Sequence, residues 1–533
     1  MSHPEREPNG AVAESPQKTG PGLKRRSVVS SFIFKLEGTP DEQPQVALFR
    51  RSQKVSTYRD HLAPISGSIE SSDASPLAAA WREIAEETTL DPSSLTFLRH
   101  GKSYTFSDPS VGREWTIYPF AFALMAPTAE SESRITIDWE HTSWSWHAPA
   151  SVTADDLSFP GVPRLAESLR RVWFENDLGP TAGAILSKAL DTLATDHVSG
   201  ARQMASHALC ALRETIVAFT PCAPTEEWWS TIRMTAWHLI HNGRESMSAA
   251  IQSALLAALV EIEKRMATHP ADADAFLPAV TKCIDDVLAQ RTSSATHLSS
   301  SLSDFLTSAF PPSQHHTLTI LTLSESSTIT TSLVHLAQTG AFPNLAIHIL
   351  ESRPLFEGVS LAASLASTLS TAPSSVRITL HTDASAALAS SNVNLILLGA
   401  DRIASSGAVS NKTGSLPAVL SARYVMPGAK VVVLSDTEKI ASPGSPSSHV
   451  VEDNGAEQVA AAWSTSNRLR DAATALQSKN CKVAVQVRNV FFEWVPAELV
   501  DVYITERGKW AVDDIARHAE GVKAEEERMF GGL

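Results

Sequence analysis

Cysteine is scarce in this chain: four residues in 533 (Cys210, Cys222, Cys283 and Cys481), widely spaced and without a CxxC pair. That excludes a disulfide framework and gives no zinc-type spacing, and it fits a reducing compartment. Basic residues are outnumbered, 44 Lys and Arg against 58 Asp and Glu, for a net charge of -14 and a pI near 5.7. Without a basic excess there is no chain-wide means of displacing counterions from a nucleic-acid backbone, so no nucleic-acid partner is expected. No uninterrupted apolar run reaches bilayer-spanning length and the N-terminus has no signal-like apolar segment, so no membrane partner and a cytoplasmic location are expected.

What is present is length and a change of pattern along it. A chain of 533 residues implies about three to four compact units. Residues 1–26 are rich in Pro, Glu, Gly, Ser and Gln and read as a disordered arm, with Lys24-Arg25-Arg26 as solvated charge. Residues 27–178 alternate as strands around one helix, with strands expected at Val28–Leu36, Gln45–Arg50, Trp115–Met125 and Trp144–Trp146. Residues 179–310 carry long helical periods. Residues 311–533 return to short apolar runs, Leu318–Leu323, Leu345–Leu350, Val376–Leu380, Leu395–Leu398, Lys430–Leu434 and Lys482–Val487, separated by helical stretches. That alternation predicts a doubly wound parallel sheet in an α/β fold.

The densest chemistry lies in Arg82-Glu83-Ile84-Ala85-Glu86-Glu87-Thr88. On a helix, Glu83, Glu86 and Glu87 are three and four positions apart and share a face, while Leu77, Trp81 and Ile84 make the opposite, buried stripe. Clustered carboxylates suit a hard divalent cation, which keeps positions open for water and substrate phosphates. The bland alternative is an exposed amphipathic helix with an ordinary Arg82–Glu86 pair.

This stretch resembles the signature of the Nudix hydrolases. Gly67 aligns with the motif glycine and Asp73 with its first acidic position, with one extra residue between motif halves; Arg82, Glu83, Glu86 and Glu87 match the second half, and Thr89 stands where the family has glycine. The resemblance implies an α/β/α sandwich, Mg²⁺ or in its place Mn²⁺ held by Glu83, Glu86 and Glu87, and hydrolysis of a diphosphate-containing small molecule, with Glu86 and Glu87 among the catalytic residues. The base that orients the attacking water is either Glu87 or an acid outside the motif, for which Glu140 is one candidate.

Polar residues follow five of the later apolar runs, at the strand ends where ligands collect in open sheets: Ser324, Arg353, Asp383, Asp401 with Arg402, and Asp436. Asn411-Lys412-Thr413-Gly414-Ser415 reads as a helix start suited to a phosphate. Helix caps and turns use the same residue types. The motifs Glu351–Gly358, Gly399–Ile403, Asn411–Gly414 and Asn489–Leu499 resemble the family of initiation factor 2B alpha, beta and delta subunits, methylthioribose-1-phosphate isomerase and ribose-1,5-bisphosphate isomerase, over roughly Thr181–Leu533. This implies a NagB/RpiA-like, Rossmann-type domain, a phosphorylated sugar or nucleotide as ligand at Arg244, Ser324, Arg353, Glu357, Asp401, Asn411 and Lys412, and a homodimer or an initiation-factor-like hetero-oligomer. By the resemblance Asp401 is the catalytic aspartate of the isomerases. Ser324 replaces their cysteine, Ser199 their arginine and Glu357 their glutamine, which favours binding over turnover; a non-catalytic assembly protein and a true aldose-ketose isomerase are the alternatives.

Overall fold

The computed structural model describes residues 23–36, 44–153, 159–197, 199–219, 225–268, 273–444, 452–465, 467–477, 483 and 485–533. The chain divides into two compact units, Met1–Asp177 and Leu178–Leu533. Most of the expected arm, residues 1–22, lies outside the described residues, whereas Lys24, Arg25 and Arg26 already belong to the first strand.

In the first unit eight strands, β1 (Lys24–Lys35), β2 (Gln45–Arg51), β3 (Leu62–Ala63), β4 (Ile65–Ser68), β5 (Leu95–His100), β6 (Tyr104–Asp108), β7 (Arg113–Leu124) and β8 (His141–His147), form one mixed sheet. β1 and β7 pair in parallel, and β4 lies antiparallel to β1 with Val29 opposite Gly67. Alternation along β1 sends Val29 and Ile33 to one core and Phe32 and Phe34 to the other. Helix α1 (Pro76–Thr88) packs Ala79, Ala80 and Ile84 on the first face; a short α2 (Ala129–Glu132) follows; α3 (Leu165–Val172) packs Leu165, Leu169 and Val172 on the second. The result is the helix–sheet–helix sandwich that the sequence pattern implies.

The ends of α1 are set by local chemistry. Ser75 caps the start by accepting a hydrogen bond from the Ala78 N–H, and Pro76 follows at a position that has no N–H to leave unmatched. Thr89 ends the helix at φ 62°, ψ 6°, in the left-handed region that a β-branched residue adopts only under strain. A glycine there would remove the strain, which accounts for the preference of the resembling motif.

The second unit opens with a helical bundle: α4 (Glu175–Thr195), broken at Gly179 where φ is 75°, then α5 (Ala201–Ala218), α6 (Glu226–His241), α7 (Ser248–Thr268) and α8 (Ala273–Ala309). The segment Glu245–Thr268 has the length and mean hydropathy, 1.3, of a membrane span although polar residues interrupt its apolar run, and 67% of that window is buried inside the protein. A core helix passes the same test because it too is apolar on all sides.

Strands β9 (Thr317–Leu323), β10 (Asn344–Leu350), β11 (Ser375–His381) and β12 (Leu395–Leu398) come next, then the short β13 (Arg402–Ile403), β14 (Val409–Lys412), β15 (Lys430–Leu434), β16 (Phe492–Val495), β17 (Val502–Thr505) and β18 (Gly508–Trp510). Seven of them form a sheet in the order β11-β10-β9-β12-β15-β17-β18, parallel except for β18, with α9 (Ser327–Thr339), α10 (Glu357–Thr368), α11 (Ala386–Ala389), α12 (Ser415–Val425), α13 (Glu457–Ala461), α14 (Asn467–Gln477) and α15 (Val512–Phe530) between and after the strands. The order reverses at β9 and β12, as in a doubly wound sheet.

Two expectations are corrected. The sixth parallel strand is Val502–Thr505; of the expected Lys482–Val487, Lys482 and Ala484 lie outside the described residues and Val483 and Val485 are exposed and outside any strand. Asn411 and Lys412 are not a helix start. They end β14, in a separate antiparallel sheet with β13 and β16, because Gly414 at φ 109° is needed to turn the chain before α12 begins at Ser415. Replacing Thr89 by Gly should raise the stability of the first unit by about 1 kcal/mol, read as a higher urea midpoint; a lower midpoint would show that the Thr89 Oγ1 bond to the Arg134 carbonyl matters more than the strain.

Candidate functional sites

In the first unit α1 brings Glu83 and Glu87 to one face, one turn apart. The chain after α1 returns to it: the Thr136 and Asp138 N–H groups donate to the Thr88 and Glu87 carbonyls, and the Ser52 N–H donates to the Glu140 carbonyl. These backbone bonds, with the Asp138 carboxylate accepting from the Glu140 N–H at 2.9 Å, bring Glu140 up to Glu87. Gly67 is part of this arrangement from within β4; an added Cβ would land on the Glu83 carboxylate. Only glycine leaves that carboxylate its place.

Glu87 is 3% exposed and its Oε1 has no hydrogen-bond partner. Burial, then the neighbouring carboxylates of Glu140, Glu83 and Asp138, push its carboxyl up to about 9, against the pull of Arg51. Burial also raises Glu83, more than Arg82 lowers it, and raises Glu140. His141, packed on Phe49 with Nδ1 3.6 Å from Glu87, is held down to about 4 by burial and by Arg51. It is therefore neutral at pH 7 and supplies no compensating charge.

Glu86 does not join this group. Its side chain is 59% exposed and pairs with Arg82 at 3.3 Å. Arg82 also binds Glu83 at 2.7 Å and takes both oxygens of Asp73 in a two-pronged grip. Asp73 thus anchors Arg82 and does not face the carboxylate cluster. As placed, no three acidic, His or Cys side chains among the described residues stand close enough to ligate one ion. The donor chemistry nevertheless fits a hard cation at Glu83, Glu87 and Glu140: all oxygen donors, pushed up first by burial and then by neighbouring carboxylates, one of them buried with an unmatched oxygen.

A cavity of about 310 Å³ opens beside them, bounded by Gly67, Glu83, Glu140, Arg51, Tyr58 and Trp115, with Tyr104 and Phe106 also in its wall. Tyr58 donates to Asp108 at 2.7 Å and accepts from the Trp115 indole at 3.2 Å, which fixes both rings. Arg51, Glu140 and this aromatic wall carry no signal in the motif; only the tertiary fold assembles them.

In the second unit Ser324 directly follows β9 and Asp401 follows β12, the adjacent strand. Burial raises the Asp401 carboxyl, and Lys439, Lys412 and Arg244 oppose the rise while Glu357 adds to it. The fold thus gathers Asp401, Glu357, Lys412 and Arg244 as the sequence grouped them, and adds Lys439. Asn411 donates to Ser415 at 2.9 Å. Arg353 is apart from them, exposed and lying over the Phe356 ring. Ser324 sits at φ 65° with its N–H donating to the Ser352 hydroxyl, and among the described residues nothing accepts a hydrogen bond from its own hydroxyl.

Comparison with known proteins bears on both units. A profile of the initiation factor 2 subunit family matches residues 197–512, well over half of the chain. The chain belongs to the initiation factor 2 subunit family. A NUDIX domain profile matches residues 24–172, so the chain joins a Nudix domain to an initiation factor 2B-like domain. Among curated proteins it is 33% identical over 161 residues to a methylthioribose-1-phosphate isomerase of Albidiferax ferrireducens, covering 30% of this chain and 40% of that protein. It is 32% identical over 174 residues to a probable bifunctional methylthioribose-1-phosphate isomerase/methylthioribulose-1-phosphate dehydratase of Nocardia farcinica, covering 32% and 28%. The chain spans about two fifths or less of the length of these relatives. Among solved structures, the translation initiation factor eIF-2B of Pyrococcus horikoshii OT3 matches at 17% identity and a TM-score of 0.42, over 61% of this chain and 96% of that one. Its 5-methylthioribose 1-phosphate isomerase matches at 20% and 0.43, over 64% and 87%.

Two substitutions probe the carboxylate cluster. In EDTA, Glu87→Gln should raise the melting temperature, by about 2–4 °C per kcal/mol of relieved repulsion, and Mg²⁺ should raise that of the wild type alone. Gly67→Ala should abolish the Mg²⁺-dependent rise by displacing Glu83. A Mg²⁺ response that survives both changes would place the ion elsewhere.

Proposed function

We propose that the first unit is a Mg²⁺-dependent hydrolase of a nucleoside diphosphate derivative or related diphosphate. The observation that carries this reading is the buried Glu87, one oxygen unmatched among the described residues, behind Glu83 and Glu140, which line a cavity. A bound Mg²⁺, or Mn²⁺ in its place, would polarise the phosphoryl group and make the attacking water more acidic. Glu83, Glu87 and Glu140 would hold the ion. Glu140 lines the cavity and Glu87 does not, which favours Glu140 as the base that takes the water proton. Glu86, exposed on α1, acts through its hold on Arg82. Arg51 is placed to meet a phosphate oxygen, and the Tyr58–Trp115 wall suits a planar ring on the diphosphate's other side.

For the second unit we propose binding of a sugar- or nucleotide-like small molecule at Asp401 without turnover. Ser324 in place of the isomerases' cysteine supports this; kinship with isomerases keeps sugar-phosphate isomerisation as the second reading, and a homodimer or initiation-factor-like hetero-oligomer in the cytosol as the proposed context. Nucleotide sugars, dinucleoside polyphosphates and damaged nucleotides, incubated with the full chain with and without Mg²⁺, should reveal a metal-dependent product. Glu140→Gln should lower its rate by about 10²-fold or more. No product from any member of the panel, or an unchanged rate for both Glu87→Gln and Glu140→Gln, would end the hydrolase reading. Methylthioribose-1-phosphate should remain unisomerised.

A further inference from the structure

Three of the groups in the second unit that could meet a phosphate, Lys412, Arg244 and the start of α12, are already engaged by carboxylates of the same chain, while Arg353 stands apart on the Phe356 ring. Lys412, buried, donates from Nζ to Glu357 Oε1 at 2.9 Å and lies 4.2 Å from the centre of the Phe491 ring. Arg244, also buried, donates from Nη2 to Glu452 Oε2 at 2.6 Å and from Nη1 to the Asp196 carbonyl; the Ser246 hydroxyl donates to the other Glu452 oxygen. The start of α12, where free N–H groups would meet an anion, is filled by Glu493, whose Oε1 accepts from the Gly414 and Leu416 N–H groups at 2.6 and 3.1 Å. Lys439, the remaining cation acting on Asp401, donates to the Ala400 carbonyl.

What is left open in this cluster is acceptors. Glu357 Oε2 is buried and accepts no hydrogen bond. The Asp401 carboxylate, partly exposed, accepts none from any described residue. Counted as residues, the cations Arg244, Lys412 and Lys439 face as many acidic side chains, Asp401, Glu357 and Glu452, so a dianion entering here would meet as many acids as bases. A phosphate entering here would have to displace an internal carboxylate and then sit beside it; a hydroxyl would meet acceptors that lack a donor.

We propose that this site selects a phosphate-free, hydroxyl-rich ligand, of the class of an unphosphorylated pentose or nucleoside, and that Glu357 is the residue that sets the choice. The proposal rests on reading the second unit as a ligand site and narrows it, against the sequence expectation of a phosphorylated ligand. Glu357 stands where the isomerases carry glutamine, and its place is fixed by Gly358, at which an added Cβ would land on the Leu350 carbonyl oxygen. A glutamine there would leave Lys412 its charge; the glutamate cancels it.

The test is calorimetric titration of the full-length chain with 5-methylthioribose and with 5-methylthioribose 1-phosphate. The wild type should bind the free sugar and prefer it to the ester by about tenfold or more. Glu357→Gln should shift that preference towards the ester by at least about tenfold, the double change Glu357→Gln with Lys412→Met should cancel the shift, and Glu357→Asp, which keeps the charge, should behave as the wild type and serve as the control for folding. A wild type that binds the ester as tightly as the free sugar, or a Glu357→Gln protein with unchanged preference, overturns the assignment of Glu357 while leaving a ligand site in place. Failure of every variant to bind either probe removes the site reading and this inference together.

Discussion

A carboxylate enclosed by protein with one oxygen unmatched is the constraint on which the first unit's chemistry depends. Desolvation disfavours the charged form of Glu87, and Glu140, Glu83 and Asp138 disfavour it further. Were the helix face only structural, an apolar residue at that position would pack without these costs. The nearby Arg51 offsets part of the repulsion, but burial lowers its own basicity and it sits at the cavity wall, not within the cluster. The multivalent cation proposed here would offset all of these conflicts at once.

The second unit solves the opposite problem. There the charges are matched before any ligand arrives: Lys412 with Glu357, Arg244 with Glu452, the α12 start with Glu493. Internal pairs of this kind stabilise little on balance, since both partners lose water, but they decide which ligand can enter without disrupting them. One chain thus holds a site whose repulsion invites a partner charge and another whose charge is closed.

The sequence revealed whatever depends on short-range periodicity. The α1 motif, the order of strands around it, and the parallel runs from Leu318 to Leu434 all follow from spacing of three to four or of two residues, and the fold has them there. It did not reveal what depends on distant segments meeting. Glu140 lies more than fifty residues from Glu83 and joins it only through the backbone bonds at Glu87 and Ser52; Glu452, Glu493 and Lys439 engage their partners across similar separations or at sharp turns. Gly67 and Asp73 could be aligned with a motif but not assigned roles, because the role of each is the space or grip it gives to a side chain on α1. Lys482–Val487 shows the reverse failure: an apolar run of the right composition, while the strand that pairs with β15 is Val502–Thr505.

The stitches that hold Glu140 beside α1 are made by main-chain atoms at Thr136 and Asp138 and at Ser52. Peptide groups are common to all residues but proline at the donor positions, so apart from Asp138, whose carboxylate holds the Glu140 N–H, the side chains in that stretch are at liberty to drift over generations while Glu140 stays on station. Altered lining residues could accordingly be inherited without that acid having to be relocated.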